Sequence, residues 1–135
     1  MIRVAVSGSG NMGATVLAAV EGAEGMEPVG VVEPLGEAGT LTALSGESYP
    51  LYDDPVALLA ATQPDVVVDF TNAQFTPRLI DAALSAGVRP VIGTSGITAE
   101  MVDDLRARCA QEGRGAVVAS NFALGAVVLM HLAQV

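Results

Sequence analysis

Three glycines stand close together near the start of the chain, in Gly8-Ser9-Gly10-Asn11-Met12-Gly13, directly after the apolar run IRVAVS (2–7). Glycine inside a strand or helix costs roughly 0.5–1 kcal/mol relative to alanine, so this cluster implies that the backbone itself has a task. The spacing is G-x-G-x-x-G. Its first glycine suits a tight turn, its second lets a pyrophosphate approach the backbone, and its third permits close packing of the following helix on the strand. Free N–H groups at that helix start would face the anion. Glu33 lies 20 residues beyond Gly13, at the end of the next apolar run PVGVVE (28–33). A dinucleotide fold places there the acid that accepts from the adenosine ribose hydroxyls. Pro34 follows Glu33, so no adjacent arginine or lysine awaits a 2′-phosphate, and NADH is expected to bind at least as well as NADPH.

Further polar segments end later apolar runs: DFTNAQF (69–75), GTSG (93–96) and SNFALG (120–125). In open parallel sheets ligands bind outside the carboxyl ends of the strands, so a nicotinamide and its substrate would lie here. Each segment alone also reads as an ordinary Ser/Thr/Asn turn. The single cysteine, Cys109, has no disulfide partner within the chain and falls in a helical pattern, where it reads as a buried structural thiol. The one histidine, His131, sits in an apolar segment without a charged or hydroxyl neighbour at helical spacing, which suits packing better than acid catalysis. No metal site is expected.

The 135 residues suffice for one domain with a real core. A net charge of −9, with six arginines and no lysine, removes lysine-based mechanisms and argues against a nucleic-acid surface. No stretch approaches the roughly 20 apolar residues of a membrane helix, and the N-terminus lacks a signal-peptide pattern. A cytoplasmic location is therefore the expectation.

These residues need elements to position them. Strands are expected at 2–7, 28–33, 65–70, 90–93 and 115–120, with a short one at 49–52. Helices are expected near 11–23, with Met12, Val16, Leu17 and Val20 on one face, and at 98–112. Asp54 caps a third helix with Pro55 at its first position, and Thr76-Pro77 opens a fourth that closes at Gly87. The glycine-rich segment 33–48 reads as a loop with a helical turn. Alternating strands and helices with short connections predict an α/β, Rossmann-type, doubly wound parallel sheet. The segment 123–135 reads as a helix that is apolar nearly all round and should be covered on every side.

VSGSGNMG, VVEPL, VVVDFT, VIGTSGIT and ASNFALGAVVLMHLA, in this order, resemble the dihydrodipicolinate reductase family. The resemblance implies reduction of 4-hydroxy-tetrahydrodipicolinate with NADH or NADPH, in lysine and diaminopimelate biosynthesis. It implies cofactor contacts at Gly8, Ser9, Gly10, Asn11, Met12, Gly13, Glu33, Phe70, Gly93, Thr94, Ser95, Ala119, Ser120, Asn121 and Phe122, with Ser95 also touching substrate. It further divides the chain into a dinucleotide-binding domain (1–123) and the start of an interdomain helix (124–135), the substrate and assembly domain lying past Val135. The glycine loop is one residue shorter than the family's common form, and Asn11 stands where many members carry arginine or lysine. The family's paired histidines, lysine and Ser-Gly-Thr loop have no counterpart, so no catalytic residue is expected and the dicarboxylate would bind only with a second domain. A different reading is a stand-alone, non-catalytic NAD(H)-binding module. Other two-domain dehydrogenases share the loop and the acid without the later motifs. The apolar segment 124–135 is expected to mediate self-association where nothing else covers it.

Overall fold

The computed structural model describes residues 1–119. Along them run β1 (Ile2–Ser7), α1 (Asn11–Gly22), β2 (Met26–Val32), β3 (Gly39–Thr42), β4 (Ser48–Tyr52), α2 (Pro55–Thr62), β5 (Val66–Asp69), α3 (Thr76–Ala86), β6 (Arg89–Ile92), α4 (Ala99–Glu112) and β7 (Val117–Val118). The strands form one sheet in the order β3-β4-β2-β1-β5-β6-β7. All neighbours pair in parallel except β3, which runs antiparallel to β4. β1 is the pivot: β2 was added on one side and β5 on the other, so the direction of sheet growth reverses there. This is the expected doubly wound α/β architecture.

Alternation along the strands separates two packed layers. Ala5, Val32 and Val67 face α2 and α3, where they bury Leu58, Leu59, Leu79 and Ala83. Val6 and Val31 face the other way, against Leu17 of α1. Farther along the first face, Ile92 packs with Ile80, Leu84, Leu105 and Cys109, which confirms the buried thiol. Helix ends follow the expected chemistry. The Asp54 carboxylate accepts from Ala57 N at 3.2 Å with Pro55 next to it, and Gly87 ends α3 in the left-handed region at φ 76°.

Several boundaries differ from expectation, each for a physical reason. The segment 33–48 contains β3 rather than a helical turn. In Gly39-Thr-Leu-Thr42 only Leu41 is half-buried, packing beside Tyr49 and Leu51, and glycine-rich surroundings hide so short an alternation. β2 begins two residues early, at Met26, and carries Pro28 inside the strand. The register with β1 slips there, from Val4 opposite Pro28 to Ala5 opposite Gly30, as proline without an N–H demands. Glu33 and Phe70 stand just past their strands, and β7 keeps only two of the residues expected between 115 and 120. Met12 does not join the buried face of α1: it is 47% exposed, because the first turn of the helix lies at the open edge of the sheet. The expected helix 123–135, with His131, lies outside the described residues.

Candidate functional site

Parallel strands deliver all their carboxyl ends to one edge, and the expected residues gather there. Gly8–Gly13 follow β1, Glu33 follows β2, Phe70 follows β5, Gly93–Ser95 follow β6, and Ala119 follows β7. Ala119 N donates to Ile92 O at 3.0 Å, which sets it beside Gly93. Ser120, Asn121 and Phe122 lie outside the described residues.

The three glycines have three different reasons. Gly8 takes φ +106°, and a Cβ there would stand 2.6 Å from the Phe70 carbonyl oxygen. Gly13 faces the turn itself, since a Cβ on it would overlap the carbonyl oxygen of Gly8. The close approach that this glycine permits is thus between α1 and its own loop. Gly10 is the opposite case: among the described residues a Cβ would meet nothing within 4 Å, so none of them asks for glycine there. Its bare backbone borders open space, as expected where a ligand is to come close.

Helix α1 is also left open at its start. Asp54 and Thr98 cap α2 and α4 with their side chains, whereas Gly10 occupies the cap position of α1 and no side chain caps it. The first N–H groups and the positive end of the helix dipole remain available to an anion. Asn11 and Met12 are exposed at this opening.

Glu33 reaches into the loop from β2. Its Oε2 accepts from Ser9 N at 2.9 Å and from Ser9 Oγ at 2.7 Å, and its Oε1 accepts from Leu35 N at 3.3 Å. Partial burial pushes its pKa up, but the hydrogen bonds from Ser9 and Leu35 outweigh that and hold the carboxyl below its ordinary value. With the folded value depressed, this stabilisation is complete above the ordinary glutamate range and is lost as pH falls through the folded value. Oε1 keeps room for further donors, since a carboxylate offers about four acceptor positions.

The turns after β5 and β6 are tied together. Gly93 N donates to Asp69 O at 2.8 Å, and Thr71 N donates to Thr94 Oγ1 at 3.0 Å. Thr94 is buried and its hydroxyl is engaged inside the protein, which leaves Ser95 as the exposed hydroxyl of the turn. The sequence reading places Asp69 in the polar segment DFTNAQF (69–75) without giving it a role of its own. Asp69 is fully buried at the end of β5, and four hydroxyls converge on its carboxylate. An acid closing the continuous apolar run VVVDF is the signal that marks it. Beside the loop, a cleft of about 120 Å³ runs between α1 and β3 past Leu17, Ala18, Val31 and Leu41. Among the described residues no cluster of three or more His, Cys, Asp or Glu could hold a metal ion. No helix among them is long and apolar enough to cross a membrane.

The profile of the dihydrodipicolinate reductase N-terminus matches residues 2–122. The chain belongs to this family. A 4-hydroxy-tetrahydrodipicolinate reductase of Halalkalibacterium halodurans is 37% identical over 138 residues, covering 99% of this chain and 52% of that protein. Among solved structures, a dipicolinate-bound dihydrodipicolinate reductase from Paenisporosarcina sp. TG-14 superposes with TM-score 0.81 at 34% identity, over 98% of this chain and 52% of that one. Homoserine dehydrogenase of S. aureus shares the fold, with TM-score 0.73 at 15% identity over 88% of this chain and 32% of its own. The chain thus spans about half the length of the reductases it matches, and that half is the NAD(P)H-binding domain of the reductase fold.

The glycine geometry separates folding from binding. Gly10→Ala should leave the thermal unfolding midpoint unchanged and lower dinucleotide affinity about tenfold, by blocking close backbone approach. Gly13→Ala should fail differently, lowering the midpoint itself, because its methyl has no space. Calorimetric scans and ligand titrations on the two variants check both halves.

Proposed function

We propose that this chain is the cofactor half of a 4-hydroxy-tetrahydrodipicolinate reductase in lysine and diaminopimelate biosynthesis, binding NADH or NADPH along the carboxyl edge of its sheet. The observation that carries this reading is the pairing of an uncapped α1 with a loop whose second glycine borders open space, reached by Glu33 from the next strand. Gly8–Gly13 would hold the pyrophosphate and Glu33 the adenosine ribose. Phe70, Gly93, Thr94, Ser95 and Ala119, with Ser120, Asn121 and Phe122, would line the nicotinamide side. When bound, the nicotinamide supplies the hydride for reduction of the imine-type substrate.

The chain's own part is to bind and orient. The backbone N–H groups of the loop neutralise the pyrophosphate without a lysine. Glu33, already held near Ser9, accepts from the ribose and disfavours a 2′-phosphate in the same place, so NADH should do at least as well as NADPH. Ser95, exposed on the turn after β6, is the candidate to touch a dicarboxylate substrate, which needs the second half of the enzyme for its remaining contacts and for proton supply. A cytoplasmic location accords with this chemistry. Residues 1–123 form the dinucleotide-binding domain in this reading, and 124–135 begin the connection to the substrate domain.

Titration calorimetry on the 135-residue chain should detect NADH binding at sub-millimolar concentrations, and Glu33→Ala should weaken NADH about tenfold or more while NADPH loses little or gains. Hydrogen bonds to a charged group, worth roughly 1.5–3 kcal/mol, set that magnitude. Absence of heat with either cofactor up to millimolar levels would refute the reading, and an unchanged NADH:NADPH ratio would remove Glu33 from the site.

Residues 124–135 give a separate expectation. Leu124, Val127, Val128, Leu129, Met130 and Leu132 form an apolar segment, and burial of each large side chain is worth about 1.5–3 kcal/mol. The isolated chain should sediment as an associated species, and Val128→Glu with Leu132→Glu should return it to a monomer.

A further inference from the structure

The carboxyl edge is built around a carboxylate that the cofactor reading leaves without a task. Asp69 is completely buried, on the sheet face that also carries Ala5, Ser7 and Ile92. No arginine or histidine pairs with it among the described residues. Its oxygens divide four hydroxyl donors between them. Oδ1 accepts from Ser7 Oγ at 2.8 Å and from Thr71 Oγ1 at 2.8 Å. Oδ2 accepts from Thr76 Oγ1 at 2.5 Å and from Thr94 Oγ1 at 2.8 Å.

An unpaired buried carboxylate is an expensive way to fill a core, since well-packed apolar residues commonly serve stability as well or better. Its donors explain its presence. Ser7 directly precedes Gly8, Thr71 directly follows Phe70, Thr76 opens α3, and Thr94 is the centre of the Gly93–Ser95 turn. Three of the four are therefore within or one residue from the proposed cofactor contacts. Thr94 is fixed twice, since its hydroxyl donates to Asp69 and accepts from Thr71 N.

We propose that Asp69 is a positioning residue that sets the glycine turn and the Gly93–Ser95 turn at one separation, so that a dinucleotide held by the first meets the second in register. The proposal rests on the cofactor reading above. It assigns to Asp69 and Thr94 the alignment of the nicotinamide half of the site. Replacing Asp69 by asparagine keeps the shape and puts an NH₂ group opposite two of the four hydroxyls, which lose their acceptor.

The test compares NADH with ADP-ribose, which carries the adenosine, pyrophosphate and second ribose without the nicotinamide ring. Binding of both by the unaltered chain establishes the cofactor reading independently, and binding of neither overturns that reading together with the proposal. Asp69→Asn and Thr94→Val should each bind NADH about tenfold more weakly and ADP-ribose nearly as before. Thr94→Ser, which keeps the hydroxyl, should restore NADH affinity. Thr94→Val serves as the second variant if Asp69→Asn does not fold. Parallel loss of both ligands, in step with a lowered unfolding midpoint, would show a purely structural role. Unchanged NADH binding in folded variants would likewise overturn the assignment.

Discussion

The backbone of Gly8 and the Cα of Gly13 approach so closely that no side chain fits between them, and the geometry of the site follows from that contact. Because the loop folds back on the first turn of α1, the helix starts almost directly above the end of β1. Its unpaired N–H groups then open over the edge where β2 and β5 diverge. The same turn rests on the Phe70 carbonyl, so the end of β5 joins the assembly through backbone alone. A side chain at Gly8 or Gly13 would lift the turn, and the approach of both neighbouring strands' ends to the loop would be lost.

The site manages charge without a lysine and with a net charge of −9. Attraction for an anion must come from oriented N–H groups and a helix dipole, both set by the backbone. The two carboxylates nearby have opposite characters. Glu33 is only partly buried and donors from a neighbouring loop hold it, so its partners can be exchanged for those of a ligand. Asp69 is sealed beneath the start of α3, and its partners cannot be exchanged without disturbing the edge.

The shared fold of homoserine dehydrogenase, at 15% identity, marks the limit of what the architecture alone conveys. A doubly wound sheet offers a crevice at its pivot strand, and the residues at that crevice decide which chemistry it serves. Here VVVDFT and VIGTSGIT supply the turns that follow β5 and β6 at that crevice.

Much was legible because the chemistry is local. Strand alternation, the caps at Asp54 and Gly87, the glycine spacing and the acid at Glu33 each depend on neighbours within a few residues, and each stands where the pattern predicts. The boundaries that moved did so under non-local forces: β3 exists because β4 pairs with it and Leu41 finds Tyr49 and Leu51. The sequence by itself determined that a doubly wound sheet would present a glycine turn and an acid along one edge, because period and turn chemistry are written in adjacent residues. Only the tertiary structure decided that Glu33 binds Ser9 across 24 positions and that Asp69 draws in Thr94 across 25 and Ser7 across 62. Those distances close only when parallel strands set their ends side by side, and no pattern along the chain records which ends will meet.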